Sequence, residues 1–306
     1  MIPDAGAFAD RSIAAVRKKL LEAHAPGASV AVLVDGEALF VEGIGFKDRE
    51  QRKPLGEDAR FYIYSITKTM IAVAVLQLVQ QGRLALDDPV QAHVPELPLE
   101  AQITLRQLLS HRGGLPDYGM LPAYNDALRA HPQQAWSPAQ FLEQSLQSGL
   151  RFAPGQGWQY SNIGYLLLKL ALEAVQEAPL HVVLQEQLFS PLGLPATMVA
   201  TSLGGVDSLT PGYTTMESMV KPHLVPVKHA YFQQPAYGLG LMLDPQSPYG
   251  PVAGHGGGGP GYATAAFAFP SVDGHSVICT VLANQDEPDL GLEIIYALLP
   301  LIVKEH

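Results

Sequence analysis

The chain has a single cysteine in 306 residues, Cys279, which excludes an internal disulfide. It lies in the apolar run 277–282 and reads as a small buried hydrophobe. Nothing at the N-terminus resembles a secretory leader, since residues 1–8 have neither a basic stretch nor a long apolar one. The expectation is a cytoplasmic protein, or a periplasmic or secreted one if a leader has been removed. Positive charge is also scarce, and a net charge of −10 argues against nucleic acid or an anionic membrane as partner. The histidines are scattered without metal-ligand spacing, so no metal is expected. There is no G-x-S-x-G, which sets aside the nucleophile elbow of α/β-hydrolases. No repeat recurs at solenoid spacing.

What is present is enough for one large domain or two intimate ones. Apolar content is ordinary for a globular protein, which argues against disorder. The chain is organised around residues 61–82. Their second half reads as a helix of about four turns stopped by Gly82. Between Met70 and Val79 only Gln77 is polar, so this helix is expected at the centre of a domain. It is too short, and Lys68 too close, for a membrane span.

Ser65 stands at the N-terminus of this helix, with Lys68 three residues on and on the same face. A serine hydroxyl is a poor nucleophile until a base takes its proton. A lysine at the end of a buried helix is desolvated, which disfavours its charged form and moves it toward that role. The plainer alternative makes Ser65 an N-cap and Lys68 a solvated charge. The Ser-x-x-Lys spacing alone does not decide, because it recurs at Ser218 and Lys221, where Pro222 follows and no apolar helix runs on.

Elsewhere, residues 8–24 carry a helical apolar stripe, and 29–41 read as a hairpin turning at Asp35-Gly36. Tyr62 and Ile63 are expected to end a short strand. From Gly82 to about Ala200 the pattern is helical, cut by Pro-rich loops, with helices at 104–109, 141–150 and 163–172. Asp87 and Asp88 precede Pro89 and read as a turn rather than an acid–base pair. Tyr160 and Asn162 precede the last of these helices; taken alone, Asn162 would be its N-cap and Tyr160 a packing residue. Strands are expected at 237–243, after the glycine run 254–261, and at 276–282, with a closing helix at 290–303. The glycine run lacks the Lys-Ser/Thr of a phosphate loop, but it lets backbone approach a ligand closely.

Read together, Ser65-Ile-Thr-Lys68, Tyr160-Ser-Asn162 and His255-Gly256-Gly257 resemble the three motifs of the penicillin-recognising serine hydrolases: class C β-lactamases, D-alanyl-D-alanine peptidases and related esterases. The phrases LALDDPV, ITLRQLLSHRGGLPDY, PLGL and YGLGL are similar to that family's as well, and the match runs from about Pro26 to the C-terminal helix. The resemblance implies an α+β, β-lactamase/transpeptidase-like fold: an antiparallel sheet flanked by N- and C-terminal helices, plus a helical region. Residues 1–64 and 206–306 would form the sheet domain and 65–205 the helical one, with the active site at their junction.

It further implies that Ser65 is the nucleophile of an acyl-enzyme, with Lys68 and Tyr160 sharing the base role and Tyr160 protonating the leaving group. Asn162 would hold a substrate amide or carbonyl, and the N–H groups of Ser65 and Gly258 would form the oxyanion hole. Gly257 and His255 complete the substrate side. No cofactor is expected, and the substrate would be a small ester, amide or β-lactam.

The sequence departs from the pattern at two places. His255 stands where many β-lactamases have lysine, and a histidine is mostly neutral near pH 7. That favours an esterase or a D-amino-acid peptidase over a β-lactamase. Residues 206–236 are short and rich in Pro and Met where the family usually has a longer helical stretch. The expectation is an unusually open site, one completed by another subunit of a homo-oligomer, or a ligand-binding relative that has lost the chemistry.

Overall fold

The computed structural model describes residues 4–56, 58–97, 99, 102–131, 134, 136–201, 209–214, 231–287 and 289–303. The second Ser-x-x-Lys copy, at Ser218 and Lys221, and most of the 206–236 stretch lie outside the described residues. Helix α1 (Ala5–Glu22) starts where the Ala7 N–H donates to the Asp4 carboxylate at 3.0 Å, an N-cap that satisfies one orphan donor. Its buried positions, Phe8, Ser12, Val16 and Leu20, recur every fourth residue and so form one stripe.

That stripe packs on a sheet. Strands β1 (Gly27–Val34) and β2 (Glu37–Gly45) form the expected hairpin. Both turn residues have positive φ, 52° at Asp35 and 86° at Gly36, the geometry that suits the twist of a two-residue hairpin. Between the hairpin and the later strands comes the helical part: α2 (Ile66–Gln80), α3 (Leu105–Leu109), α4 (Pro122–Ala130), α5 (Pro138–Leu146), α6 (Asn162–Gln176) and α7 (Leu180–Leu184). The chain then returns with β3 (Ala236–Tyr237), β4 (Met242–Ser247), β5 (Gly250–Gly259), β6 (Tyr262–Val272), β7 (His275–Ala283) and α8 (Leu290–Ile302).

All neighbouring strands pair antiparallel in the order β2-β1-β7-β6-β5-β4-β3, so the N-terminal hairpin joins the sheet through β7. One apolar core holds α1, α8 and the sheet face beneath them, including Phe8, Phe267, Phe269, Val281, Ile294 and Leu298. Cys279 belongs to it as a fully buried side chain. A second core holds the helical part, with Ile71, Val75 and Leu78 of α2 against Leu105 and Leu108 of α3 and Leu167 and Leu168 of α6. Each such side chain contributes about 1.5–3 kcal/mol through burial. Asp87 is paired with Arg106, and Asp88 accepts the Ala85 N–H and contacts His93, so both serve the turn before Pro89.

Three expectations need correction. Tyr62 and Ile63 do not end a strand: the Ile63 carbonyl is used by the Ile66 N–H and the Thr264 hydroxyl, and the bridge among the described residues lies before them, where the Arg60 carbonyl accepts from the Thr210 N–H. The 141–150 helix is Pro138–Leu146 instead; Ser137 and Gln140 form a capping box that starts it earlier, and Gly149, at φ 67°, turns the chain after it. The 237–243 strand is split. The Gly240 N–H donates to Leu109 and the Thr69 hydroxyl donates to the Gly240 carbonyl, pulling the chain out of the ladder and against α2. Gly240 sits at φ 85°, and a Cβ there would come within 2.3 Å of the Ala72 side chain.

Candidate active site

The β4–β5 ladder ends at Gly254, so residues 255–259 pair only with β6 and their other edge faces the helical part. Residues 61–65 lie against this edge. A Cβ at Gly257 would sit 2.3 Å from the Ile63 carbonyl oxygen and 2.4 Å from the Thr264 hydroxyl, so only glycine permits the approach. A Cβ at Gly258 would meet nothing within 4 Å. Tyr64, just before Ser65, is held at φ 44°, a left-handed conformation that costs a non-glycine residue about 1–3 kcal/mol. Its ring lies over Gly259, and its hydroxyl donates to the Pro260 carbonyl at 2.7 Å, which holds the strained turn in place.

Ser65 occupies the N-cap position of α2, yet its side chain caps nothing. Its Oγ instead receives two donors, Lys68 Nζ at 3.0 Å and the Tyr160 hydroxyl at 2.8 Å. Lys68 is buried, not solvated, and its ammonium also lies 5.0 Å from the Tyr160 ring centre. Burial lowers its pKa to about 8, opposed by the carboxylate of Asp117. Burial pushes the Tyr160 phenol far up, so it is protonated at neutral pH.

Asn162 is the first residue of α6; the cap is Ser161, whose hydroxyl accepts the Gly164 N–H. The Asn162 amide is therefore free for the site. Its Oδ1 accepts from Lys68 Nζ at 2.6 Å, and its Nδ2 donates toward both Asp117 carboxylate oxygens at 3.1 and 3.0 Å. The two oxygens of one carboxylate subtend a narrower angle than the two N–H bonds of an amide. One N–H is thus shared between them and the other lies outside that contact.

His255 is buried and neutral. Tyr237 donates to its Nε2 at 2.9 Å while its Nδ1 contacts the Gly256 carbonyl, a pattern that puts the ring proton on Nδ1. Burial lowers its pKa to about 4, so near pH 7 it carries no charge. His111 packs against the Tyr160 ring, 4.3 Å between centres, and its Nδ1 accepts the Ser161 N–H at 3.1 Å. Burial and the nearby Lys68 charge hold His111 neutral too.

The structure thus brings Ser65, Lys68, Tyr160 and Asn162 into one hydrogen-bonded cluster, with His255, Gly257 and Gly258 on the strand beside it. Sequence reasoning missed Asp117, Tyr64 and His111. Asp117 carried a signal, as the lone acid in the otherwise uncharged loop 113–121. Among the described residues no group of three or more His, Cys, Asp or Glu side chains could hold a metal ion, and no helix is long and apolar enough to cross a membrane.

An antiparallel sheet against a helical half, with a serine–lysine–tyrosine cluster where they meet, is the arrangement of the β-lactamase/transpeptidase-like fold. A family model described as Beta-lactamase matches residues 10–232, and the chain belongs to that family. It is 34% identical over 202 residues to esterase EstB of Burkholderia gladioli, covering 62% of this chain and 51% of that protein. It is 29% identical over 181 residues to penicillin-binding protein 4* of Bacillus subtilis (strain 168), covering 58% of this chain and 39% of that one. The chain therefore spans about half or less of the length of these curated relatives. Among solved structures, the octameric penicillin-binding protein homologue from Pyrococcus abyssi superposes with a TM-score of 0.79 at 23% identity, covering 98% of this chain and 77% of that one. A likeness at that identity speaks for the fold.

Proposed function

We propose that the chain is a serine hydrolase that acts through an acyl-enzyme on Ser65 and takes small, neutral esters or amides. The observation that carries this reading is the convergence of Lys68 Nζ and the Tyr160 hydroxyl on Ser65 Oγ, at 3.0 and 2.8 Å. Neutral Lys68 takes the Ser65 proton as Oγ attacks the substrate carbonyl. The N–H groups of Ser65 and Gly258 receive the oxyanion; losing such a donor typically costs about 2.7–4 kcal/mol in the transition state. Collapse expels the alcohol or amine, which takes the Tyr160 phenolic proton, and the Lys68 ammonium restores it. The direction of the two pKa shifts supports Lys68 as the base and Tyr160 as the proton carrier. Water repeats the sequence on the acyl-serine and no cofactor takes part. The second Asn162 N–H is available to a substrate carbonyl.

Neutral, buried His255 supports esters and simple amides over β-lactams, because it offers no fixed charge to a lactam carboxylate. The similarity to a relative named as an esterase points the same way. The test is kcat/KM for a short-chain p-nitrophenyl ester and a chromogenic cephalosporin, measured side by side. The ester is expected to win by orders of magnitude, and Ser65→Ala to lose at least about 10³-fold. A cephalosporin turned over faster than the ester would make the protein a β-lactamase. Unchanged turnover in Ser65→Ala would place the chemistry elsewhere.

A further inference from the structure

Asp117 lies behind the site, in the loop after α3, where it also caps the short turn Tyr118–Met120 by accepting the Gly119 N–H at 3.3 Å. Burial raises its carboxyl pKa, while its contacts with Asn162 and Lys68 favour the charged form. We propose that Asp117 is a positioning residue that fixes the Asn162 amide with its oxygen toward Lys68, so that the Lys68 lone pair stays free for the Ser65 proton. The proposal rests on the reading of Ser65 as nucleophile and Lys68 as base.

A side-chain amide fits its socket almost equally well in either of two orientations, and only its partners choose between them. A carboxylate only accepts, so Asp117 requires the NH₂ end, leaving Oδ1 for Lys68 at 2.6 Å. With the amide turned over, its oxygen would face two carboxylate oxygens at about hydrogen-bond distance with no hydrogen between them. Its N–H would then be offered to Lys68. Neutral Lys68 has one lone pair, and an amide N–H that captured it would remove the base from Ser65 Oγ. Asp117 excludes that state. Lys68 meanwhile keeps donating an N–H to Oδ1, which turns its lone pair toward the serine.

The other groups facing Lys68 among the described residues are Tyr160 and Tyr165 from α6 and the loop before it, His111 from the loop after α3 and His255 from β5. Both histidines are held neutral and both phenols protonated, so among the described residues Asp117 is the charge that acts on Lys68. Its negative charge raises the Lys68 pKa, and removing it must lower that pKa.

The test is the rate at which a p-nitrophenyl phosphonate labels Ser65 as a function of pH, in wild type, Asp117→Asn and Asp117→Ser, with Ser65→Ala as control. Labelling needs the activated serine and no turnover. Both Asp117 variants are expected to label more slowly, on the order of 10- to 100-fold. The midpoint of their pH–rate rise is expected to move to lower pH, and kcat for a neutral ester to fall more than KM changes. Melting curves identify the folded variants, and the smaller replacement, Asp117→Ser, carries the test if the isosteric one does not fold. Wild-type rates, or slower labelling at an unmoved or raised midpoint, overturn the proposal; the latter marks a merely structural carboxylate. Label found away from Ser65 in the wild type, or unchanged in Ser65→Ala, overturns the reading of the site and the proposal with it.

Discussion

In the proposed mechanism Lys68 is a base only in the fraction of molecules where it has lost its proton, and its surroundings set that fraction. Ser65 Oγ and Asn162 Oδ1 are neutral acceptors, so little offsets the loss of hydration except the more distant Asp117. The result is a lysine with a pKa of about 8 where an exposed one stays near its ordinary value. Because the active form in that mechanism is the neutral one, activity should be absent well below this pKa and rise through it. The pH profile of kcat/KM for a neutral ester, measured across about pH 6–10, should climb to a plateau with its midpoint near 8. Lys68→Met should lose about 10²–10⁴-fold and abolish the climb. A flat profile in the wild type would remove Lys68 from the base role. Helix geometry made legible only that Ser65 and Lys68 share a face; Tyr160 and Asn162 were grouped with them by the resemblance of the three ordered motifs, since their contacts with Ser65 and Lys68 cross 95 and 94 positions. Asp117 had only the weak signal of a lone acid in the loop 113–121, and its contact with Asn162 forms once residues 45 positions apart are brought together.

At the scale of elements, the site depends on how closely β5 approaches the turn before α2. Gly257 is the point of contact, with no room for a side chain between the strand and the Ile63 carbonyl. Gly257→Ala should push the strand off Ser65 and lower kcat/KM by roughly 10²-fold, as a displacement of about 1 Å does elsewhere. Gly256→Ala, whose Cβ would meet only the Thr264 carbonyl at 3.8 Å, should lose less. Steady-state kinetics on the two variants check the order; equal losses would show that the contact at Gly257 does not set the spacing. The first hairpin was legible from Asp35-Gly36, since a two-residue turn with both φ positive has few sequence solutions, and Asp273-Gly274 between β6 and β7 repeats it at φ 50° and 83°. The break between β3 and β4 was not, because it is made by Leu109 and Thr69, more than a hundred residues away in the chain. The early start of α5 is different, being readable in Ser137 and Gln140, which stand at capping-box spacing.

Over the whole molecule, charge and fold act together on the choice of substrate. The sheet and the helical part each have their own apolar core; Ser65, Lys68, Tyr160 and Asn162 come from the helical part, and His255, Gly257 and Gly258 from β5 of the sheet. The chain as a whole carries −10, and the buried cation in the site is a lysine that gives up its charge near pH 8. His255 adds none. An anionic substrate therefore approaches a like-charged protein, and neither Lys68 above about pH 8 nor His255 offers it a counter-ion in the cluster around Ser65. For an ester bearing a carboxylate, kcat/KM should be low at low ionic strength and rise as salt screens the repulsion, whose reach is about 10 Å at 0.1 M. A neutral ester of the same size should show little salt dependence. Measuring both between about 0.01 and 0.3 M salt separates this long-range effect from the fit of the pocket. Parallel curves would mean that shape alone selects the substrate. If the anionic ester instead lost activity with added salt, a cation outside the cluster around Lys68 would have to be drawing it in, and the preference for neutral substrates would fail.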